Sequence, residues 1–353
     1  MSIATERVDQ LRGETRNRQI RWGFIWAFSC ALLWGAWYVP GYAIFYEEPF
    51  TSLVNNNKEL VLGALVVTVL NAVAVLIAMF IWVAALGKIP DYVATLRQPR
   101  ISLWYLPAGI CGLSAVFGTY LAITYVGAAF GAVAGVLYPL TGATLARLWY
   151  KERITKQAAL GISVLVLGAV TIFTPGLWEQ ITSPGGQTWI GYVGGAMAFI
   201  GWGLEGAIAG RALDVSDPDV GLTLRFTAEV LVWLVVLVPL FVVFFGSEVL
   251  DAFGTAMTEP VVLALLVPLG LTFGFCYVAW YKSFPLIGVG RGQAIAALYA
   301  PAAIVWLWIF SSADITWHVV LGSVLAVVGS FLLFTERRDV LEVLRSVPNK
   351  THS

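Results

Sequence analysis

Charged residues are scarce in this sequence. Only 12% of the 353 residues are Asp, Glu, Lys or Arg, whereas 59% are hydrophobic. A soluble core cannot enclose that much apolar surface, so we expect most of the chain to contact lipid. The formal net charge is +0, and a chain without a basic excess is not expected to bind nucleic acid.

Histidine and cysteine are also rare. The three cysteines, Cys30, Cys111 and Cys276, lie singly inside apolar stretches, so their spacing indicates neither a disulfide framework nor a metal site. The two histidines, His318 and His352, have no nucleophile and no further metal ligand at the spacing that a catalytic or metal site requires. The sequence therefore predicts no enzyme activity, no metal and no cofactor.

A cleavable signal peptide is not expected either, because residues 1–21 are charged throughout and no small-residue cleavage site follows a short apolar stretch. Long apolar runs are present instead. Ten of them reach about 18 residues, enough to cross about 30 Å of hydrocarbon as a helix. A lipid-exposed segment of this length must satisfy its own backbone, which favours helix over strand. The predicted spans are 23–46, 60–86, 103–126, 128–150, 157–174, 189–210, 220–246, 261–284, 288–310 and 317–335.

The distribution of Lys and Arg predicts the orientation of these spans. If the N-terminus is cytoplasmic, all but two of the 21 basic residues fall on the cytoplasmic side. The exceptions are Lys58, in the first outer loop, and Arg225, inside the seventh span. We therefore expect both termini to be cytoplasmic. The expected location is a plasma (inner) membrane, which the chain crosses several times.

The second half of the sequence resembles the first at an offset of 161 residues. At this offset Pro107 aligns with Pro268, Gly109 with Gly270, Tyr120 with Tyr281, Gly127 with Gly288, Gly161 with Gly322 and Gly168 with Gly329. Nearer the front, Trp34–Gly35 of the first span aligns with Trp202–Gly203 of the sixth. Because each copy has five spans, an odd number, the second copy enters the membrane from the opposite side to the first. This predicts an inverted repeat of the kind found in secondary transporters.

The predicted fold is therefore all-α and integral to the membrane, with ten transmembrane helices in two inverted five-helix repeats. We divide the chain into a cytoplasmic N-terminal segment, a first repeat, an extracytoplasmic linker, a second repeat and a cytoplasmic tail. Their ranges are 1–21, 22–174, 175–188, 189–335 and 336–353.

Three features resemble the drug/metabolite transporter (DMT) superfamily, in its ten-helix EamA-like branch. They are the "WG" in the first helix of each half, the segment "LARLWYKERITKQAALGISVLVLGAV" between the fourth and fifth helices, and the five-plus-five plan. The resemblance implies an alternating-access carrier of a small organic metabolite, such as an amino acid, an amine or a drug. The segment "LWGAWYVP" also resembles sugar-carrying members, which keeps a sugar or nucleoside carrier as the alternative.

The stretch "GWGLEGAIAGRAL" places Glu205 inside the sixth span, where a lipid-facing charge costs about 2.5–3.5 kcal/mol. Arg225 and Glu229 are spaced i, i+4 and are expected to neutralise each other. Lys282 is expected to reach the cytoplasmic interface. Glu205 is then left without a dedicated partner, which favours a site for a proton or a cationic substrate; a structural lock is the alternative.

Aromatic side chains within the spans are the other candidates for a binding site. Tyr138 and Tyr299 are repeat-related and are expected to meet, offering ring faces to a flat or cationic ligand. The predicted substrate-binding residues are Glu205, Trp34, Trp37, Trp202, Tyr120, Tyr138, Tyr281 and Tyr299. The predicted proton-coupling or gating residues are Glu205, Arg225, Glu229 and Lys282.

The predicted partners are a small-molecule substrate and the lipid bilayer. A monomer and a homodimer are both compatible with the sequence. A membrane enzyme and a channel remain as other classes; a carrier differs from a channel because its transport saturates and shows counterflow.

Overall fold

A computed structural model describes residues 3–126, 128–151, 154–182, 187–311 and 316–335. Within these ranges the chain is helical and contains no strand. The helices are α1 Ile3–Ala43, α2 Asn57–Ala85, α3 Ile89–Leu96, α4 Pro99–Tyr125, α5 Ala128–Val136, α6 Tyr138–Tyr150, α7 Lys156–Thr182, α8 Thr188–Ala212, α9 Pro218–Val232, α10 Val238–Phe245, α11 Glu248–Thr258, α12 Pro260–Ile287, α13 Val289–Ala296, α14 Tyr299–Ser311 and α15 Trp317–Phe334.

Seven helical segments among the described residues are long and apolar enough to cross a membrane. They are Glu14–Tyr46, Asn57–Ala85, Pro99–Tyr125, Thr188–Ala212, Pro218–Phe245, Pro260–Ile287 and Val289–Phe310. Shorter apolar helices cover Lys156–Ile172 and Val320–Phe334. In Pro218–Phe245 only 17% of the most apolar window is buried inside the protein. Such a surface is compatible with lipid and not with water, so the chain is of the all-α membrane class.

Several predicted boundaries differ from the observed ones. Helix α1 begins at Ile3 and therefore includes most of segment 1–21, and α7 continues to Thr182, within the predicted linker. The short helices α3 and α11 lie in predicted loops. Gly127, His352 and the predicted tail 336–353 lie outside the described residues.

The single helices predicted for 128–150 and 288–310 are each two helices. Helix α5 ends at Val136 and α6 begins at Tyr138, while α13 ends at Ala296 and α14 begins at Tyr299. A proline follows each break, Pro139 and Pro301. Proline lacks the backbone N–H that would continue the preceding turn, which explains why both helices are interrupted here.

Close helix packing depends on glycine. Helix α4 packs along α8 where Gly118 faces Gly194, and α7 packs along α15. A Cβ atom on Gly118 would lie 2.4 Å from the carbonyl oxygen of Gly194, and one on Gly194 would lie 2.5 Å from that of Gly118. Only glycine fits at both positions, so the two backbones are in direct contact.

Helix α9 carries two of the candidate residues, and its start is well defined. The Asp217 side chain accepts hydrogen bonds from the backbone N–H groups of Asp219 and Val220, and Pro218 occupies the first turn. These are standard signals for a helix N-terminus. The start at Pro218 places Arg225 and Glu229 on one buried face, about two and three turns into the helix.

Candidate functional site

A buried group of ionisable side chains lies between α8, α9 and α12. We name it the Glu205 cluster; it comprises Glu205, Arg225, Glu229, Tyr277 and Tyr281. Oε1 of Glu205 accepts a hydrogen bond from Nε of Arg225 at 2.6 Å and one from the Tyr281 hydroxyl at 3.2 Å. Oε2 of Glu205 accepts from the Tyr277 hydroxyl at 3.2 Å. The side chains of Glu205 and Arg225 are 0% exposed.

Arg225 binds both glutamates. While Nε donates to Glu205 on the neighbouring helix, Nη1 donates to Glu229 on its own helix. The predicted pairing of Arg225 with Glu229 is therefore present. The prediction that Glu205 has no dedicated partner is wrong, because the guanidinium fork has enough donors to reach two carboxylates in different directions.

Helix α4 makes room for the guanidinium. A Cβ atom on Gly112 would lie 1.6 Å from Nη2 of Arg225 and 2.6 Å from Oε2 of Glu205. The guanidinium carbon also lies 4.0 Å from the ring centre of Phe226 and 4.9 Å from that of Tyr277, which adds cation–π contacts. Sequence reasoning did not single out Gly112 or Tyr277 as site residues.

Next to the Glu205 cluster lies a buried aromatic group centred on Trp34 of α1. Its ring stacks on Tyr299 at 4.7 Å between ring centres, and lies 5.5 Å from Tyr138 and 5.1 Å from Trp202. The repeat-related tyrosines thus both contact Trp34. Nε1 of Trp202 donates to the Tyr277 hydroxyl at 3.0 Å, which joins the aromatic group to Glu205.

The remaining predicted aromatics lie beside this group. Trp37 stacks on Phe273 at 4.7 Å, lies 6.2 Å from Tyr120 and donates from Nε1 to Asn71 of α2 at 3.1 Å. Phe273 also contacts Trp34. Three further rings that sequence reasoning missed share one face of α12 with Phe273, namely Tyr277, Trp280 and Phe284. Their spacing of three and four residues is a signal that could have identified them.

Buried polar atoms without a hydrogen-bond partner occur in and beside the aromatic group. Within the part of the chain that the structure describes, they include Nε1 of Trp34, Nε1 of Trp280 and Oε1 of Gln293. The Gln293 amide nitrogen lies 3.3 Å from the carbonyl oxygen of Trp202. Unsatisfied polar atoms in a buried site are available to a ligand or to water.

Lys282 belongs to a second group of charges, at the end of the bundle where α2 ends and α9 begins. We name it the Asp219 cluster; it comprises Trp82, Lys88, Asp217, Asp219 and Lys282. Asp219 accepts from Lys88 at 2.7 Å, Lys282 at 2.9 Å and Trp82 at 3.0 Å. Lys88 also donates to Asp217 at 2.8 Å. Lys282 therefore has a specific carboxylate partner and does not simply extend to the interface.

Lys88 lies in the connection between α2 and α3. Burial alone lowers the pKa of Lys88, but hydrogen bonds to the Asp217 and Asp219 carboxylates outweigh burial and raise that pKa above its ordinary value. The Asp219 cluster thus links three parts of the chain through charged hydrogen bonds.

Arg291 is buried, whereas its positive charge predicts a position on the cytoplasmic side. The distribution of basic residues placed Arg291 on the cytoplasmic side, although the predicted span 288–310 included it; it is on α13 and its residue surface is 1% exposed. Helix α13 begins at Val289, one residue after the predicted start of the span, so Arg291 lies in the first turn of a buried helix.

No family model and no curated protein matches this chain. A solved structure described as "Crystal structure of protein" is similar to it, with a TM-score of 0.56 and 19% sequence identity over 88% of this chain and 96% of that chain. This similarity shows a shared fold across most of both chains.

Proposed function

We propose that the chain is a secondary active transporter of the drug/metabolite transporter type, with ten membrane-crossing helices in two inverted five-helix repeats. It moves a small organic metabolite, such as an amino acid, an amine or a drug, across a plasma membrane by alternating access. Both termini are cytoplasmic in this proposal. The single observation that carries it is the fully buried Glu205 cluster beside an aromatic group, because ionisable residues inside membrane helices typically mark transport pathways.

Reciprocal glycine contacts support the inverted repeat. Gly161 is repeat-related to Gly322, and Gly168 to Gly329. A Cβ atom on Gly161 would lie 2.9 Å from the oxygen of Gly329, and one on Gly168 would lie 2.6 Å from that of Gly322. Each glycine of one pair therefore faces a glycine of the other pair. A two-fold axis produces this kind of reciprocal contact.

The other helix contacts also form matching pairs. Helix α4 packs on α8 and α1 packs on α12, which are equivalent contacts if the two halves are related by a repeat. Gly109 lies against α9, where its Cβ atom would be 2.9 Å from the oxygen of Arg225. Its repeat partner Gly270 lies against α2, where the corresponding distance to the oxygen of Ala74 is 2.9 Å. These pairs favour two similar units around a central site.

The Asp219 cluster supports alternating access. Its two lysines and two aspartates tie α9 to α12 and to the connection after α2. In the proposed orientation this end is cytoplasmic, so the cluster closes the path from the Glu205 cluster to the cytoplasm. We propose that these ion pairs separate when the carrier opens inward.

A sugar or nucleoside carrier is the second candidate. It is favoured by the unpartnered N–H groups of Trp34 and Trp280, whose rings contact each other, and by the unpartnered amide oxygen of Gln293, which lies against Gly142 of α6. A hydroxyl group can accept from the indoles and donate to the amide. An amine substrate is favoured instead by the two carboxylates of the Glu205 cluster.

The first experiment is a thermal-shift screen of the purified protein against amines, amino acids, sugars and nucleosides, since a ligand in excess stabilises the state that binds it. A stabilising compound is then tested for saturable uptake and counterflow in proteoliposomes. We expect counterflow. Uptake without saturation or counterflow would indicate a channel, and chemical conversion of the compound would indicate an enzyme.

A further inference from the structure

The Glu205 cluster contains one cation and two carboxyl groups. Arg225 is the cation, and Glu205 and Glu229 are both within hydrogen-bond distance of it. Lys88 and Lys282 bind Asp219 instead. Among the described residues, other titratable side chains that approach α9 from the helices packed around it include Tyr92 of α3, Tyr105 and Cys111 of α4, and Cys276, Tyr277 and Tyr281 of α12, and none of these carries a positive charge.

Two ionised carboxylates would leave this cluster with an excess negative charge. All three charged side chains are at most 2% exposed, so water does not screen that charge. Like charges that share a buried site disfavour simultaneous ionisation. Protonation of one of the two carboxyl groups removes that excess charge.

The hydrogen bonds distinguish the two glutamates. Glu205 accepts from three donors, Arg225, Tyr277 and Tyr281, and such donors stabilise the ionised form. Glu229 accepts a well-formed hydrogen bond from one side chain, Arg225, and the Trp233 indole approaches Glu229 more loosely. Nε1 of Trp233, one turn beyond Glu229, is buried and does not reach full hydrogen-bond geometry with it, so Glu229 has fewer well-formed hydrogen bonds than Glu205.

We propose that Glu229 is the residue that binds and releases the proton, and that Glu205 stays ionised as the fixed counter-ion of Arg225. The role of this proton in transport rests on the proposed carrier function. When the site opens and Glu229 loses its proton, the cluster gains a negative charge that a cationic substrate neutralises. Proton and substrate then compete for one charge at this site, which is the basis of proton-coupled exchange.

The protonated carboxyl group can be observed directly by infrared spectroscopy of the purified protein in lipid, because its C=O stretch lies at higher frequency than the carboxylate stretches. Glu→Asp variants keep the number of charges but move the carboxyl group by one methylene. We expect Glu229→Asp to shift the C=O band and Glu205→Asp to leave it in place. A band that moves only in Glu205→Asp, or no protonated band at neutral pH in the wild type, would overturn the assignment.

Thermal stability gives a second test that needs no Asp variant. Glutamine resembles a protonated glutamate, so Glu229→Gln should retain the wild-type melting temperature at neutral pH. Glu205→Gln removes an ionised acceptor of three hydrogen bonds and should lower it by several degrees. The reverse order of stabilities would contradict the proposal. Neither measurement depends on transport: a C=O band assigned to Glu229 in a protein that transports nothing would refute the carrier function and leave the protonation site intact.

Discussion

Arg225 and Glu205 are joined by a 2.6 Å hydrogen bond from Nε to Oε1, although they lie on different helices and neither side chain is exposed. Removing one partner of a buried pair leaves an uncompensated charge and typically costs about 3–5 kcal/mol, while replacing both partners is often tolerated. This contact therefore fixes the position of α9 against α8.

Replacing Arg225 with Met is expected to lower the stability by several kcal/mol, because Glu205 and Glu229 then share a buried site without a cation. The double variant Arg225→Met, Glu205→Gln should recover a large part of this loss. Thermal unfolding of the wild type, both single variants and the double variant forms a double-mutant cycle. Additive effects of the two substitutions would contradict direct coupling.

Gly112 tests the space around the guanidinium. Gly112→Ala places a Cβ atom 1.6 Å from the present position of Nη2 of Arg225, so we expect a loss of about 1–3 kcal/mol from overpacking. Gly254 on α11 is a matched control, since a Cβ atom there meets no atom within 4 Å. Gly254→Ala should stabilise its helix by about 0.5–1 kcal/mol. Equal melting temperatures for the two variants would mean that α4 does not confine Arg225.

The two groups of site residues differ in how far the sequence predicts them. Apolar runs and repeated prolines and glycines predict the helices, because a membrane helix must be apolar over its whole length. Trp34, Trp202, Tyr138 and Tyr299 were all identified from their positions within the spans, and the structure brings them together.

The pairing of charges was harder to predict. Sequence spacing gives contacts within one helix, such as Arg225 with Glu229, but not contacts between helices, such as Arg225 with Glu205. The space that Gly112 leaves for the Arg225 guanidinium could not be predicted for the same reason, because it depends on where α4 crosses α9. The breaks in the fourth and ninth predicted spans could have been predicted from Pro139 and Pro301.

Asp219 is expected to contribute more to stability than an exposed aspartate. Asp219→Asn weakens charged hydrogen bonds to Lys88 and Lys282, each worth about 1.5–3 kcal/mol, and should lower the melting temperature clearly. Asp214→Asn affects the more exposed ion pair with Arg211 at 3.4 Å and should change stability by about 0–1 kcal/mol. The comparison is made by thermal unfolding at neutral pH. Equal effects would show that the Asp219 cluster does not hold the helices together.

Lys88 predicts a dependence of stability on alkaline pH. Its pKa is raised in the folded protein, so its contribution is fully present below its unfolded value of about 10.4 and is lost as the pH rises through the folded value. Between pH 7 and 9, which ends roughly one unit below the unfolded pKa, Lys88 stays protonated in the folded and the unfolded protein. Lys88→Met should therefore be less stable than the wild type by a constant amount over this range. The difference should shrink at higher pH. A difference that disappears already near neutral pH would contradict the ion pairs of Lys88.

The orientation is tested with tags. A tag near Asn56, at the start of α2, should react with an impermeant label from outside, and one before Trp22 should not. An inaccessible Asn56 would overturn the proposed orientation.

The most direct test of the transport account is uptake by proteoliposomes containing the wild type or Glu205→Gln, measured with a compound found in the thermal-shift screen. The account predicts saturable uptake with counterflow for the wild type. Because Glu205 holds Arg225 at the centre of the site, Glu205→Gln should reduce the uptake at least tenfold, equivalent to about 1.4 kcal/mol in the limiting step. Unchanged uptake by a correctly folded Glu205→Gln variant would contradict a transport role for the Glu205 cluster.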